Sequence, residues 1–327
     1  MENRKLYSLD LLRGIAGYGV AITHYFYFVN NVKIFEYYSF IFVEIFFVLS
    51  GFVLSNQLVK IHNNKKNLKV FYYRRWLRTI PLYLVALIFY TAISNNFNFD
   101  FFKFLFFIQK MLPNFAVKDY FMVAWSLSIE EYFYLIFPIY LILLNKIKPY
   151  KLAVYFIIFL TASKILIHDN LSDDFLRTGT ILRLDSIAFG FLLSFFYLKI
   201  INFKKSIVFV VLILIFVFTT YQKSFFTNSS IFTVYFIILS QLLSMFIVLL
   251  FYNLEALIKN NYFKSICNIL ATQTYSVYLF HLIIMHFLIM TDNVMINNLF
   301  MYVLILFISS MIIFKYFEKP ILKLRPI

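Results

Sequence analysis

The sequence predicts an all-α, polytopic membrane protein of about ten transmembrane helices. Three observations carry that prediction: an apolar composition, a series of apolar runs of spanning length, and a one-sided distribution of positive charge. Of the 327 residues, 62% are hydrophobic and 22% aromatic, and only 14% are charged, against roughly a quarter in a soluble domain. An ordinary soluble enzyme does not tolerate so much apolar surface.

Crossing the hydrocarbon takes roughly 17 to 25 apolar residues. Ten segments qualify, at about 9–29, 38–59, 79–94, 122–144, 152–167, 179–198, 206–221, 231–252, 271–290 and 298–317. The first follows a basic start, MENRKLYSLDLLRG, but is longer than a signal peptide's apolar region and has no small-x-small cleavage site, so it reads as a retained span. The stretch 101–112, FFKFLFFIQKML, is short and interrupted by Lys103 and Lys110, and is expected to lie in the interface. No internal repeat or low-complexity linker divides the chain, so residues 1–327 read as a single integral-membrane domain.

Orientation follows from Lys and Arg. With the N-terminus inside, 22 of them fall on the inner side and six on the outer, an N-in, C-in arrangement by the positive-inside rule. The net charge of +15 is then a matter of topology and an anionic inner leaflet, not of nucleic acid. The single cysteine, Cys267, excludes an intramolecular disulfide and a cysteine metal cluster. His62, His168 and His286 have no partner at metal-ligand spacing, so no metal is expected.

Ionisable residues inside spans are costly and are read first as functional. On the first span, Arg13 and His24 are eleven positions apart, about three turns and roughly 16 Å along one helix face. The plainer reading has Arg13 snorkelling to headgroups and His24 packing. Counted from the outer surface, His24, Glu44, Glu130, Glu131, Arg183 and Asp185 fall in one band roughly 5 to 15 Å deep on four spans, a plausible setting for proton transfer. Lys164, late in the fifth span, is expected to snorkel outward.

The inner side is basic. Within 60–83, Lys65, Lys66 and Lys69 read as topology anchors, whereas Arg74, Arg75 and Arg78 beside Tyr72, Tyr73 and Trp76 read as a phosphate site with stacking surfaces. If that stretch is helical, Arg74 and Arg78 share a face.

These pieces, in order, are LDLLRGIAGYGVAITH, EIFFVLSGFVLS, FYYRRWLRTIPLY, AWSLSIEEYFYLIFP, LRLDSIAFGFLL, TYSVYLFHLII and FEKP. With them the chain resembles the membrane-bound acyltransferase family 3, multi-span proteins that acylate sugars of bacterial surface polysaccharides. The resemblance implies that Arg13 and His24 are the family's arginine and histidine pair, and that Arg75 and Arg78 are its RxxR motif. It further matches Trp125, Ser126, Ser128 and Glu130 to one signature, Arg183 and Asp185 to another, and Tyr275, Ser276, Tyr278 and His281 to a third. Glu44 stands where the family usually has Asp, and Glu130 and Glu131 compete for the family glutamate.

The expected activity is acyl transfer, most simply O-acetyl transfer, from cytosolic acetyl-CoA to a hydroxyl of a polysaccharide or lipid-linked sugar in a bacterial cytoplasmic membrane. Arg75, Arg78, Arg74 and Arg13 would hold the donor's phosphates. His24, oriented by Glu130 or another carboxylate, would act as general base or carry the acyl group briefly. Glu44, Trp125, Ser126, Ser128, Glu131, Arg183, Asp185, Tyr275, Tyr278 and His281 would line or support the site, Trp125 either stacking on a sugar or anchoring at the interface. Some members carry a fused extracytoplasmic esterase-like domain, and none is expected within these residues. A transporter or flippase of a glycan is the competing class, and the sequence leaves oligomeric state open.

Overall fold

The computed structural model describes residues 5–94, 97–115, 120–200, 207, 210–211, 213–218, 230–290 and 298–326. Among them the regular structure is helical, and seven helices are long and apolar enough to cross a membrane. The long elements are α1 (Tyr7–Phe28), α2 (Ile34–Asn63), α3 (Asn67–Ser94), α5 (Ala124–Leu143), α6 (Pro149–Ile167), α8 (Leu184–Ile200), α9 (Ser230–Leu254), α10 (Asn261–Met290) and α11 (Leu299–Ile313). Two short helices, α4 (Phe99–Leu105) and α7 (Asp173–Thr178), lie between them. A wide π turn, Phe314–Glu318, and α12 (Lys319–Leu322) close the order.

Two of the expected spans fall outside the seven. α1, at 22 residues, has its apolarity diluted by Asp10, Arg13 and its glycines, and α8 has only 17 residues. The expected segment 206–221 lies largely outside the described residues. Residues 101–112 hold only the end of the seven-residue α4 and an irregular continuation, too short to cross.

Some expected boundaries are corrected. α3 begins at Asn67, twelve residues before the apolar run, so the basic stretch is itself helical. Lys, Arg and Leu propagate a helix well, whereas a hydropathy reading detects only its apolar part. The segment expected at 179–198 starts instead with a short 3-10 turn, Ile181–Arg183, and its helix begins at Leu184. Pro81 and Pro138 lie inside α3 and α5, as spanning helices permit.

The chain forms two compact units. One comprises Arg4–Val43, Tyr73–Asn96 and Leu254–Ile327. Its main pairing is α1 against α10. Gly14 allows this close approach, since a Cβ there would sit 2.5 Å from the Leu270 side chain. Ala21, Tyr25, Val277, Met285, Leu288, Tyr302 and Leu306 fill the core. The α1 N-terminus lacks a side-chain cap of its own; Glu255 instead accepts from the Ser8 backbone N–H at 2.8 Å, placing a carboxylate at the positive end of the helix dipole.

The other unit comprises Glu44–Tyr72 and Phe97–Asn253. Phe133 and Phe191 pack on Phe137, with ring centroids at 4.6 and 5.2 Å. Gly51 and Gly190 bring α2 against α8: a Cβ on Gly51 would collide with the Ile187 carbonyl, and one on Gly190 with the Val48 carbonyl.

Candidate functional site

The first-described unit holds one group of candidate residues. Arg13 and His24 both sit on α1. The Arg13 guanidinium lies 3.7 Å from Asp10, one turn earlier. His24 is half-buried, and its Nδ1 is 2.8 Å from Nε2 of His281. His281 is fully buried, and its own Nδ1 is 2.8 Å from the Tyr278 carbonyl oxygen on α10. The partner of the first-span histidine is therefore another histidine. The carboxylate expected to orient it, Glu130, belongs to α5 of the other unit.

Helix packing fixes this pair from behind. The Tyr302 hydroxyl, on α11 and fully buried, reaches the backbone carbonyls of Ala21 at 3.4 Å and His281 at 3.2 Å. Its ring stacks on Tyr25 with centroids 5.2 Å apart. One side chain thus ties together the backbones that carry the two imidazoles.

Arg74, Arg75 and Arg78 lie on α3 in the same unit. Next to Arg78, the Thr79 carbonyl accepts from the Tyr275 hydroxyl at 2.6 Å, so α3 meets α10 there. His281 is six residues further along α10, roughly 9 Å by helical rise. Ser276 bonds back to the Gln273 carbonyl at 2.9 Å.

Two residues join this basic end that sequence reasoning did not single out for a role. Glu318 ends the π turn, is 7% exposed, and neighbours Arg78, Ser276 and Arg325. Arg325 is pushed down to about 10 by burial and then by Arg78 and Arg74, with Glu318 opposing. It therefore stays charged at neutral pH. FEKP was visible as a motif, but nothing in it indicates which arginines its glutamate faces. A π turn within an α-helix is frequently a functional feature.

The other unit contains a different group. Glu44 pairs with Arg183, and Lys164 pairs with Asp185; none of the four side chains is exposed. Ser186 accepts from Arg183 at 3.0 Å and from the Gln241 amide at 2.9 Å. The expectation that Lys164 snorkels is corrected: its ammonium is buried between α6 and α8, because Asp185 supplies the countercharge a buried cation requires. Gln241, in an otherwise apolar span, was a legible signal that sequence reasoning passed over.

The α5 signature residues are mostly structural in their contacts. Ser128 accepts from Gln109 and donates to the Ala124 carbonyl at 3.1 Å. Ser126 donates to the Val123 carbonyl at 3.2 Å. Trp125 meets Phe47 edge to face at 6.0 Å. Glu131 is buried and Glu130 half-buried. Among the described residues, no three His, Cys, Asp or Glu side chains are grouped to hold a metal ion.

Comparison with known proteins adds to this geometry. A family model described as an acyltransferase domain matches residues 6–316. A Staphylococcus aureus (strain COL) protein named "Putative O-acetyltransferase" is 26% identical over 318 residues, covering 86% of this chain and 51% of that protein. The peptidoglycan O-acetyltransferase OatA of Listeria monocytogenes is 33% identical over 140 residues, 37% of this chain and 22% of that protein. The O-acetyltransferase OatA of S. aureus (strain NCTC 8325) is 28% identical over 217 residues, 59% and 35% of the respective chains. The chain spans about half the length of the first of these relatives. No solved structure matches it significantly.

Proposed function

Because the chain belongs to the acyltransferase domain family, we propose that it is a membrane O-acetyltransferase that moves an acetyl group from cytosolic acetyl-CoA to a carbohydrate hydroxyl. The observation that carries the reading is the layout of one unit: a basic end on α3 and a partly exposed imidazole further along, linked through α10. A phosphate-rich donor and a thioester carbonyl require those two chemistries at a separation.

In this mechanism Arg75 and Arg78, with Arg74 and Arg13, bind the donor's phosphates; guanidinium geometry suits phosphate oxygens. The pantetheine arm carries the thioester to His24. His24 takes the proton of the acceptor hydroxyl as its oxygen attacks the acetyl carbonyl. The C–S bond then breaks, and the thiolate leaves with the proton that His24 received. A route through an acetyl-histidine uses the same residue as nucleophile. Glu130, Glu131, Glu44, Trp125, Ser126, Ser128, Arg183, Asp185, Tyr275 and Tyr278 remain candidates for lining the site or supporting its helices.

The acceptor we favour is a surface polysaccharide sugar, peptidoglycan first, since one relative is named a peptidoglycan O-acetyltransferase. A bacterial cytoplasmic membrane is the location that fits a cytosolic donor and an external acceptor. The test is purified protein in lipid with labelled acetyl-CoA and soluble peptidoglycan fragments, following CoA release and label transfer. Turnover that disappears in His24→Ala, with thermal protection by CoA that disappears in Arg75→Ala/Arg78→Ala, is the expected result. Full turnover in His24→Ala at normal expression, or no CoA protection of the wild type, overturns the reading.

A further inference from the structure

The two histidines meet edge to edge. Their ring centroids are 5.0 Å apart with 29° between ring planes, and 2.8 Å of that separation is the gap between Nδ1 of His24 and Nε2 of His281. The remainder leaves only about one ring radius on each side, so the rings share an in-line N···N contact rather than a face-to-face stack.

The contact has a direction that can be read from its far end. Nδ1 of His281 faces the Tyr278 carbonyl oxygen at 2.8 Å, which has lone pairs and no proton, so that nitrogen carries the hydrogen. His281 is fully buried, and its described polar contacts are the backbone of Tyr278 and of Val277 one position earlier, together with His24, none of them a carboxylate. An imidazolium there would be a buried charge without a countercharge. The neutral ring therefore offers a lone pair at Nε2, and the nitrogen of His24 that faces it, Nδ1, must be the N–H.

We infer that His281 is a positioning residue that holds His24 as its Nδ1–H tautomer, through the chain Tyr278 C=O, His281, His24, and leaves His24 Nε2 as the bare nitrogen that does the chemistry. No contact to that Nε2 is present among the described residues, and the residue as a whole is half-buried, so the lone pair has no described protein partner to compete with an incoming hydroxyl or thioester. The arrangement does what a carboxylate does behind a catalytic histidine, fixing tautomer and ring angle, with a neutral acceptor in its place. When Nε2 receives the hydroxyl proton, Nδ1–H keeps its bond to His281, and the proton returns from Nε2 to the departing thiolate. His281 itself neither gains nor loses a proton, because its one hydrogen is held by the Tyr278 carbonyl.

This inference rests on the acyl-transfer reading of His24, and its test separates the two. The first measurement is solid-state NMR of protein in lipid with ring-15N histidine, in a His62→Gln/His168→Gln/His286→Gln background that leaves only the pair. Both protonated nitrogens should be Nδ1 and both bare ones Nε2; an Nε2–H on His24, or a doubly protonated ring, overturns the inference whatever the activity. The second measurement compares His281→Leu with His281→Gln, whose amide oxygen restores an acceptor near the lost Nε2. In the Leu variant, kcat for CoA release from acetyl-CoA with peptidoglycan fragments should fall about 10²–10⁴-fold. KM for acetyl-CoA should hold within about twofold, and the Gln variant should recover at least about tenfold of the loss, as expected when only transition-state help is removed. Leu and Gln variants that fold and turn over like the wild type sink the positioning role and leave His24 standing. Retained turnover in His24→Ala sinks the acyl-transfer reading first. Should the Leu variant fail to fold, the NMR result and the Gln variant's KM and kcat decide.

Discussion

Lys164 and Asp185 face each other across α6 and α8 with neither side chain exposed to any degree. Beside them, Arg183 and Glu44 form a second pair, equally buried. Breaking a buried pair leaves a charge with no compensation, which costs about 3–5 kcal/mol, whereas replacing both partners by apolar groups is often neutral. Lys164→Met should therefore lower unfolding stability in micelles by about that amount, and Lys164→Met/Asp185→Leu should recover most of it. Equal stability of the single variant and wild type in a denaturant titration would rule this out.

Gly51 and Gly190 make a second prediction. A methyl group on either would meet backbone of the facing helix, the carbonyls of Ile187 and Val48 respectively. Backbone cannot rotate aside as a side chain does. Gly51→Ala and Gly190→Ala should each cost about 1–3 kcal/mol, the range for overpacked sites. Unfolding midpoints for both variants check it; Gly14→Ala, whose obstacle is the Leu270 Cβ fixed to its own backbone, should fall in the same range.

Tyr302→Phe keeps the ring against Tyr25 and removes only the hydroxyl shared between Ala21 and His281. The stability loss should be modest, about 0.5–1.5 kcal/mol. Because the hydroxyl ties together the backbones beneath both imidazoles, kcat for CoA release should fall while KM for acetyl-CoA holds. A change in KM alone would contradict this.

Arg325 sits with Arg78, Arg74 and Glu318, so it should add to anion affinity. Arg325→Gln is expected to weaken CoA binding several-fold at low salt, and the difference from wild type should shrink toward 0.5 M salt as screening sets in. Thermal shifts against CoA concentration at both ionic strengths measure it.

Helix positions were readable from the chain because lipid imposes a length and a composition on each span. Depth counting also put Glu44 and Arg183 at one level, and they are an ion pair. What the sequence could not supply was pairing. His24 and His281 are 257 positions apart, and any of several carboxylates at the same depth was an equal candidate partner for His24. Lys164 was misjudged for the same reason: a cation near a span end snorkels or is buried according to whether a countercharge faces it, and Asp185 is on another helix. α3 began early because a charged helical turn carries no apolar signal.

The π turn at Phe314–Glu318 works as an inserted residue in the helical count. An α-helix advances about 100° per residue, and a single wide turn absorbs one extra position. An extra residue wound as ordinary helix would turn the face carrying Glu318 by about 100° relative to α11; taken up by the wide turn, it leaves the carboxylate beside Arg78 and Arg325. Deleting one residue between Phe314 and Phe317 should therefore restore ordinary winding with Glu318 still on that face, whereas adding one there with no second wide turn should carry the carboxylate away. The spacing between the last span and its glutamate is therefore a reading frame of its own, in which length counts for as much as residue identity.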